Sequence, residues 1–180
     1  FIGRFTKLKV TSTKGKVTTV KFMFPVIISI LAILGATAIT STNASYIKLS
    51  TTSTEVVSGE VFYIDVYAYA HVPVNALDVT IEFGSNSVEI LGIDTGRSVL
   101  TVWTQDPIIK GNQIIFGGGT YRRGFIGEHL VATIKVQAKY TGVTEFSIKN
   151  AQLLAGDGKG TPVAIDSNSG ITKKSFIIYD

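Results

Sequence analysis

Residues 60–70 read Glu60-Val61-Phe62-Tyr63-Ile64-Asp65-Val66-Tyr67-Ala68-Tyr69-Ala70, and their period is two. Phe62, Ile64, Val66 and Ala68 fall on one face; Tyr63, Asp65, Tyr67 and Tyr69 fall on the other. An amphipathic helix spaces its apolar residues by three and four, so this alternation predicts a strand with one buried and one wet face. The pattern recurs downstream. Leu77, Val79, Ile81 and Phe83 are expected inward, with Ala76, Asp78, Thr80 and Glu82 outward. In a third stretch Leu130, Ala132, Ile134, Val136, Ala138 and Tyr140 are expected inward, and Val131, Thr133, Lys135, Gln137 and Lys139 outward.

Shorter strands are expected at 46–50, 88–93, 100–104, 113–117, 144–148 and 174–178. Turn signals separate them: Ser58-Gly59, Gly84-Ser85-Asn86, Lys110-Gly111-Asn112, Thr141-Gly142 and Gly156-Asp157-Gly158. His71 precedes Pro73 in an expected loop. No stretch after residue 45 carries a helical period. The reading is all-β: one domain over residues 45–180, an antiparallel two-sheet β-sandwich, a jelly roll of about nine strands.

Of the 180 residues, 45% are hydrophobic and 17% charged, which excludes a disordered chain. The absence of Cys excludes a disulfide scaffold, a thiolate metal site and a cysteine nucleophile. Two histidines, His71 and His129, leave little material for a histidine-based centre. His129 and its neighbour Glu128 point to opposite faces of a strand, so they do not converge. With no nucleophile elbow and no inward carboxylate pair, no catalytic residue and no enzyme are expected.

The net charge of +4 is unevenly placed. Residues 1–21 hold Arg4, Lys7, Lys9, Lys14, Lys16 and Lys21 and no acid, which leaves 11 basic and 13 acidic residues for 22–180, a net of −2. The basicity belongs to this leader, so a nucleic-acid partner is not expected for the body. Residues 22–39 form the long apolar run, preceded by Lys21 and followed by Thr42-Asn43-Ala44. A positive flank, an apolar stretch and a small-x-small site form a secretory signal pattern, with cleavage expected after Ala44. An uncleaved anchor helix is the alternative, although 18 residues interrupted by Pro25, Ser29, Gly35 and Thr37 make a weak membrane span. Residues 1–44 are thus expected to be a basic leader plus signal peptide or membrane anchor, the apolar segment being the chain's one link to a membrane. The sole Met, Met23, lies inside the apolar run. The natural start is therefore expected outside this sequence or at a non-Met codon near Val20 or Lys21.

Ser58-Gly59-Glu60 followed by a Val/Ile-rich strand resembles the opening of cohesin domains. The stretch Val74-Asn75-Ala76-Leu77-Asp78-Val79-Thr80-Ile81-Glu82-Phe83, then Val88-Glu89-Ile90-Leu91, extends the resemblance. So do Phe125-Ile126-Gly127, the 130–138 strand and Leu153-Leu154-Ala155-Gly156-Asp157-Gly158-Lys159-Gly160-Thr161. It covers residues 46–166 and rests on the ordered set rather than on one motif. The resemblance implies a non-catalytic jelly roll, related to carbohydrate-binding modules, that attaches a dockerin-like protein partner. It places the chain at the cell surface or outside the cell, in an assembly that degrades polysaccharide. The family's recognition face is the sheet of strands 8, 3, 6 and 5, with an Asn and an Asp two apart on strand 3. Asp78 stands at the Asp position, while Ala76 stands where the family has Asn.

The candidate partner-binding residues are accordingly Asp78, Thr80 and Glu82, with Lys135 and Gln137 expected on a neighbouring strand. Acids on one strand would meet basic groups of a partner and set on-rate and specificity. Tyr63, Tyr67 and Tyr69, or Trp103, are candidates for carbohydrate binding, because planar aromatic faces stack on sugar rings. Cross-strand aromatic packing is the stronger reading of the tyrosines. A carbohydrate-binding module and a structural envelope or filament domain are therefore the competing functions. Gly156–Thr161 is a glycine-rich turn rather than a phosphate loop, since Gly160 separates Lys159 from Thr161. No cofactor is expected; a loose calcium site using Asp157 or Asp166 is the one metal option.

Overall fold

The computed structural model describes residues 44–121, 123–168, 170 and 172–180, and the leader expected at 1–44 lies outside them except for Ala44. Among the described residues there is no helix. The strands are β1 (Tyr46–Ser50), β2 (Glu55–Val57), β3 (Val61–Phe83), β4 (Val88–Asp94), β5 (Val102–Lys110), β6 (Gln113–Gly119), β7 (Phe125–Ala138), β8 (Gly142–Ala155), β9 (Pro162–Val163) and β10 (Lys173–Tyr179). The all-β expectation holds, and so do most strand positions, but the strand expected at 100–104 runs from Val102 to Lys110, and those expected at 60–70 and 76–83 are one continuous strand, β3. The short β2 and β9 are additions that carry too few residues to show a period.

β3 organises the molecule because it serves both sheets. Its first half, Val61–Ala70, pairs with β1 on one side and β7 on the other, and β4 adds beyond β7. Its second half, Val74–Phe83, pairs with β6 and β8; β5 adds beyond β6, and β10 then β2 beyond β8. The buried residues are even-numbered from Phe62 to Ala70 and odd-numbered from Leu77 to Phe83. A register shift between Val74 and Ala76 accounts for the switch of parity, since one extra residue turns every following side chain to the other face. His71, expected in a loop, is therefore inside a strand that continues through the crossing.

The core is the filling between the two sheets. Val66, Ile81 and Ile134, from the three alternating stretches, are all fully buried. Phe62, Phe176, Phe146 and Phe83 form a chain of ring contacts across it, with successive centroids 4.8, 5.8 and 5.6 Å apart. Such pairs add about 0.5–1.5 kcal/mol each beyond area burial.

Four side chains depart from the expected alternation on β7. Val66 pairs with Ala132 and Tyr67 with Leu130, so Val131 is the bulged residue between them. The bulge turns Val131 fully inward and leaves Leu130 half-buried. Thr133 is buried on the outer side, where its hydroxyl donates to Asp65 Oδ1 at 2.6 Å. Tyr140 is exposed because β7 ends at Ala138 and the chain turns, with the Lys139 and Tyr140 amides both bonded to Ser87 O.

Candidate functional site

The outer surface of the β8-β3-β6-β5 sheet carries three cross-strand rows. Asp78 lies between Gly117 of β6 and Gln152 of β8. Thr80 lies between Ile115 and Asn150, and Glu82 between Gln113 and Ser147. Beyond β6, Ile115 faces Ile108 and Gln113 faces Lys110. The face is thus polar on β3 and β8 and apolar toward β5, where Ile108 is 42% exposed. Polar and apolar groups thus stand side by side on one exposed sheet face, with the apolar part at the β5 edge.

Asp78 is exposed and has no hydrogen-bond or ion-pair partner among the described residues. Its carboxylate lies back over β6 because residue 117 is Gly: a Cβ there would overlap Asp78 Oδ1 and stand 3.0 Å from its Cγ. Toward the end of the sheet, Ala76, Asp78, Val102, Gly119, Tyr121 and Leu154 border a hollow of about 300 Å³. Glu82 at the other end is engaged within the sheet. Lys149 Nζ donates to its Oε2 at 3.0 Å, and Asn112 Nδ2 to its Oε1 at 3.4 Å. The Lys149 hydrogen bond holds the Glu82 carboxyl below its ordinary pKa.

Lys135 and Gln137 are not on this face, which corrects the expectation that they flank Asp78. Lys135 pairs with Tyr63 and Gln137 with Val61, on the first half of β3 and therefore on the other sheet. A strand long enough to serve two sheets makes β7 a neighbour of β3 without making it a neighbour of Asp78.

The three tyrosines share the outer face of that other sheet, but in different states. Tyr69 stacks on Tyr46 of β1 at 4.9 Å and 14°. Lys48 Nζ stands 5.2 Å from the Tyr67 ring centroid and pairs with Glu128 at 2.7 Å. Tyr46 donates to Glu128 Oε2 at 3.2 Å, and partial burial, then the Glu128 charge, raise its hydroxyl pKa. Tyr67 and Tyr69 are half-buried in this network, whereas Tyr63 is 53% exposed. Trp103 is half-buried and meets Phe116 edge-on at 6.4 Å.

Asp157 folds onto its own turn, accepting from the Lys159 amide and the Thr161 hydroxyl, and Asp166 Oδ1 accepts from the Asn168 amide. Among the described residues no three His, Cys, Asp or Glu side chains gather as a metal site would require. Ile108 and Gly117 are members of the face that pattern reading missed as such. The Gly117-Gly118-Gly119 run was the available signal, since a strand interior without side chains marks a close approach.

The class these features define is a two-sheet β-sandwich domain with one open, mixed-polarity sheet face. No family model and no curated protein sequence matches the chain. Solved structures do. A non-cellulosomal cohesin from the hyperthermophilic archaeon Archaeoglobus fulgidus is 18% identical, with a TM-score of 0.61 over 76% of this chain and 92% of that one. A cohesin module from a Clostridium perfringens family 33 glycoside hydrolase is 13% identical, with a TM-score of 0.61 over 76% and 98%. A type I cohesin–dockerin complex from Clostridium thermocellum aligns at 11% identity, with a TM-score of 0.60 over 76% and 99%. The described chain has the cohesin fold.

Proposed function

We propose that this chain is a non-catalytic attachment module that holds a dockerin-like protein on the β8-β3-β6-β5 face. The observation that carries the reading is Asp78, an exposed carboxylate with no partner among the described residues, set on a sheet face one row from apolar Ile108 and Ile115. A free anion on a mixed face is the arrangement that selects a partner with a complementary cation. Glu82, tied to Lys149, then belongs to the rim. Cohesin-fold domains solved with dockerins give the partner class. The apolar run at 22–39 and the Thr42-Asn43-Ala44 site support export, with attachment at the cell surface or in a polysaccharide-degrading assembly.

Titration of the chain with a panel of dockerin modules tests this. Binding of at least one module, lost on Asp78→Ala and retained on Tyr67→Ala, is the expected result. Binding of none, or equal binding by the Asp78→Ala variant, removes the reading and leaves the fold unaffected.

A further inference from the structure

A hollow of about 590 Å³ opens on the outer face of the β4-β7-β3 sheet, on the opposite side of the sandwich from Asp78. That volume is within the range of small-molecule sites, about 300–1,000 Å³. Two cross-strand rows form its floor. Tyr63, Lys135 and Gly92 make one, and Asp65, Thr133 and Asp94 the other. Arg97 joins them from the turn after β4, which is held by the Asp94 carboxylate on the Gly96 amide at 2.8 Å and by the Val99 amide on Leu130 O at 2.9 Å.

The chemistry of the lining is specific. Asp65 uses Oδ1 on Thr133, and Asp94 uses Oδ1 on Gly96, so each carboxylate keeps its second oxygen without a donor among the described residues. Arg97 and Lys135 have no ion-pair or hydrogen-bond partner among the described residues. Two anions and two cations cancel, which disfavours a phosphate or a polyanion. Free donors and free acceptors side by side suit a ligand whose groups do both, and the hydroxyl is that group. Hydrogen bonds between hydroxyls and ionised side chains are also the stronger kind. Tyr63 supplies a half-exposed aromatic face beside them. At Gly92 a Cβ would meet nothing within 4 Å, so this residue leaves open the space that any side chain would fill.

We infer that this hollow is a saccharide site, with a pyranose ring stacked on Tyr63 and its hydroxyls shared among Asp65, Asp94, Arg97 and Lys135. The inference is independent of the dockerin reading, because the two sites lie on opposite sheets. Native affinity electrophoresis of the full chain through gels containing β-glucan, xylan or galactomannan, all uncharged or nearly so, tests it. Retardation in at least one gel is expected, weakened by about two- to tenfold in Tyr63→Ala, the equivalent of one lost stacking contact. Gly92→Phe, which fills the hollow, is expected to abolish retardation, and Asp78→Ala to leave it unchanged. Arg97→Ala, a loop substitution, replaces Gly92→Phe should that variant fail to fold. Free migration of the wild type in all three gels, or unchanged retardation of both the Tyr63 variant and the filled or Arg97 variant, overturns the inference.

Discussion

The Asp78 carboxylate rests over the backbone of Gly117 on the adjacent strand, in space that any side chain at 117 would take. A glycine on β6 therefore sets the orientation of the acid on β3. Gly117→Ala brings a Cβ to 3.0 Å from Asp78 Cγ and 3.3 Å from the Leu77 carbonyl oxygen, so the flexible Asp78 side chain swings away and the backbone gives by a few tenths of an ångström. Partner affinity should fall while the thermal midpoint stays near that of the wild type. If Asp78 meets a buried Arg or Lys of the partner, Asp78→Ala should weaken binding by about 2–5 kcal/mol, as truncation of such pairs does. Calorimetric titration reads both effects.

Ile81 and Ile134 face each other's sheets from β3 and β7 and are fully buried. Ile→Ala at either should cost about 2–5 kcal/mol, through lost transfer energy and the cavity left behind. Asp78→Ala on the wet face should cost under about 0.5 kcal/mol. Urea denaturation compares them, and equal costs would mean that the strand register is wrong.

Glu82 should titrate below a free glutamate, because Lys149 donates to its ionised form. A lowered folded-state pKa gives stability that is fully present above the unfolded value, about 4.3, and that is lost as pH falls through the folded value. The pair is exposed and salt-screened, so the pH dependence of stability should be shallow. Carboxyl NMR titration is the direct check: Lys149→Ala should return the Glu82 pKa toward the ordinary value.

Ser45 is fully buried at the start of the described chain. Its hydroxyl is 2.9 Å from His71 Nδ1 and accepts from the His71 amide at 3.2 Å, while its carbonyl accepts from the Asp166 amide. Ser45→Ala leaves the half-buried imidazole and amide of His71 without this oxygen, a loss of about 0.5–1.5 kcal/mol. Chemical denaturation of the variant measures it.

Removal of the leader after Ala44 should give an exported protein whose N-terminal sequence begins at Ser45. A membrane-bound chain that still carries residues 22–39 would show the anchor instead.

Period two in three stretches determined the all-β class, the inward sets of β3 and most of β7, because a strand's side chains alternate whatever it pairs with. The same local rule made Asp78 an outward residue. Pairing itself is not local. That one strand, β3, crosses from sheet to sheet through His71 and Pro73 decided that Asp78 and Lys135 stand on opposite faces. The bulge at Val131, the exposure of Tyr140 beyond the strand end, and the rest of Asp78 on Gly117 were likewise decided by the partner strand. So was the meeting of Tyr63, Asp65, Asp94, Arg97 and Lys135 around Gly92. Alternation assigns each residue a side of its own strand, and only hydrogen-bonded register between strands distant in sequence assigns it neighbours.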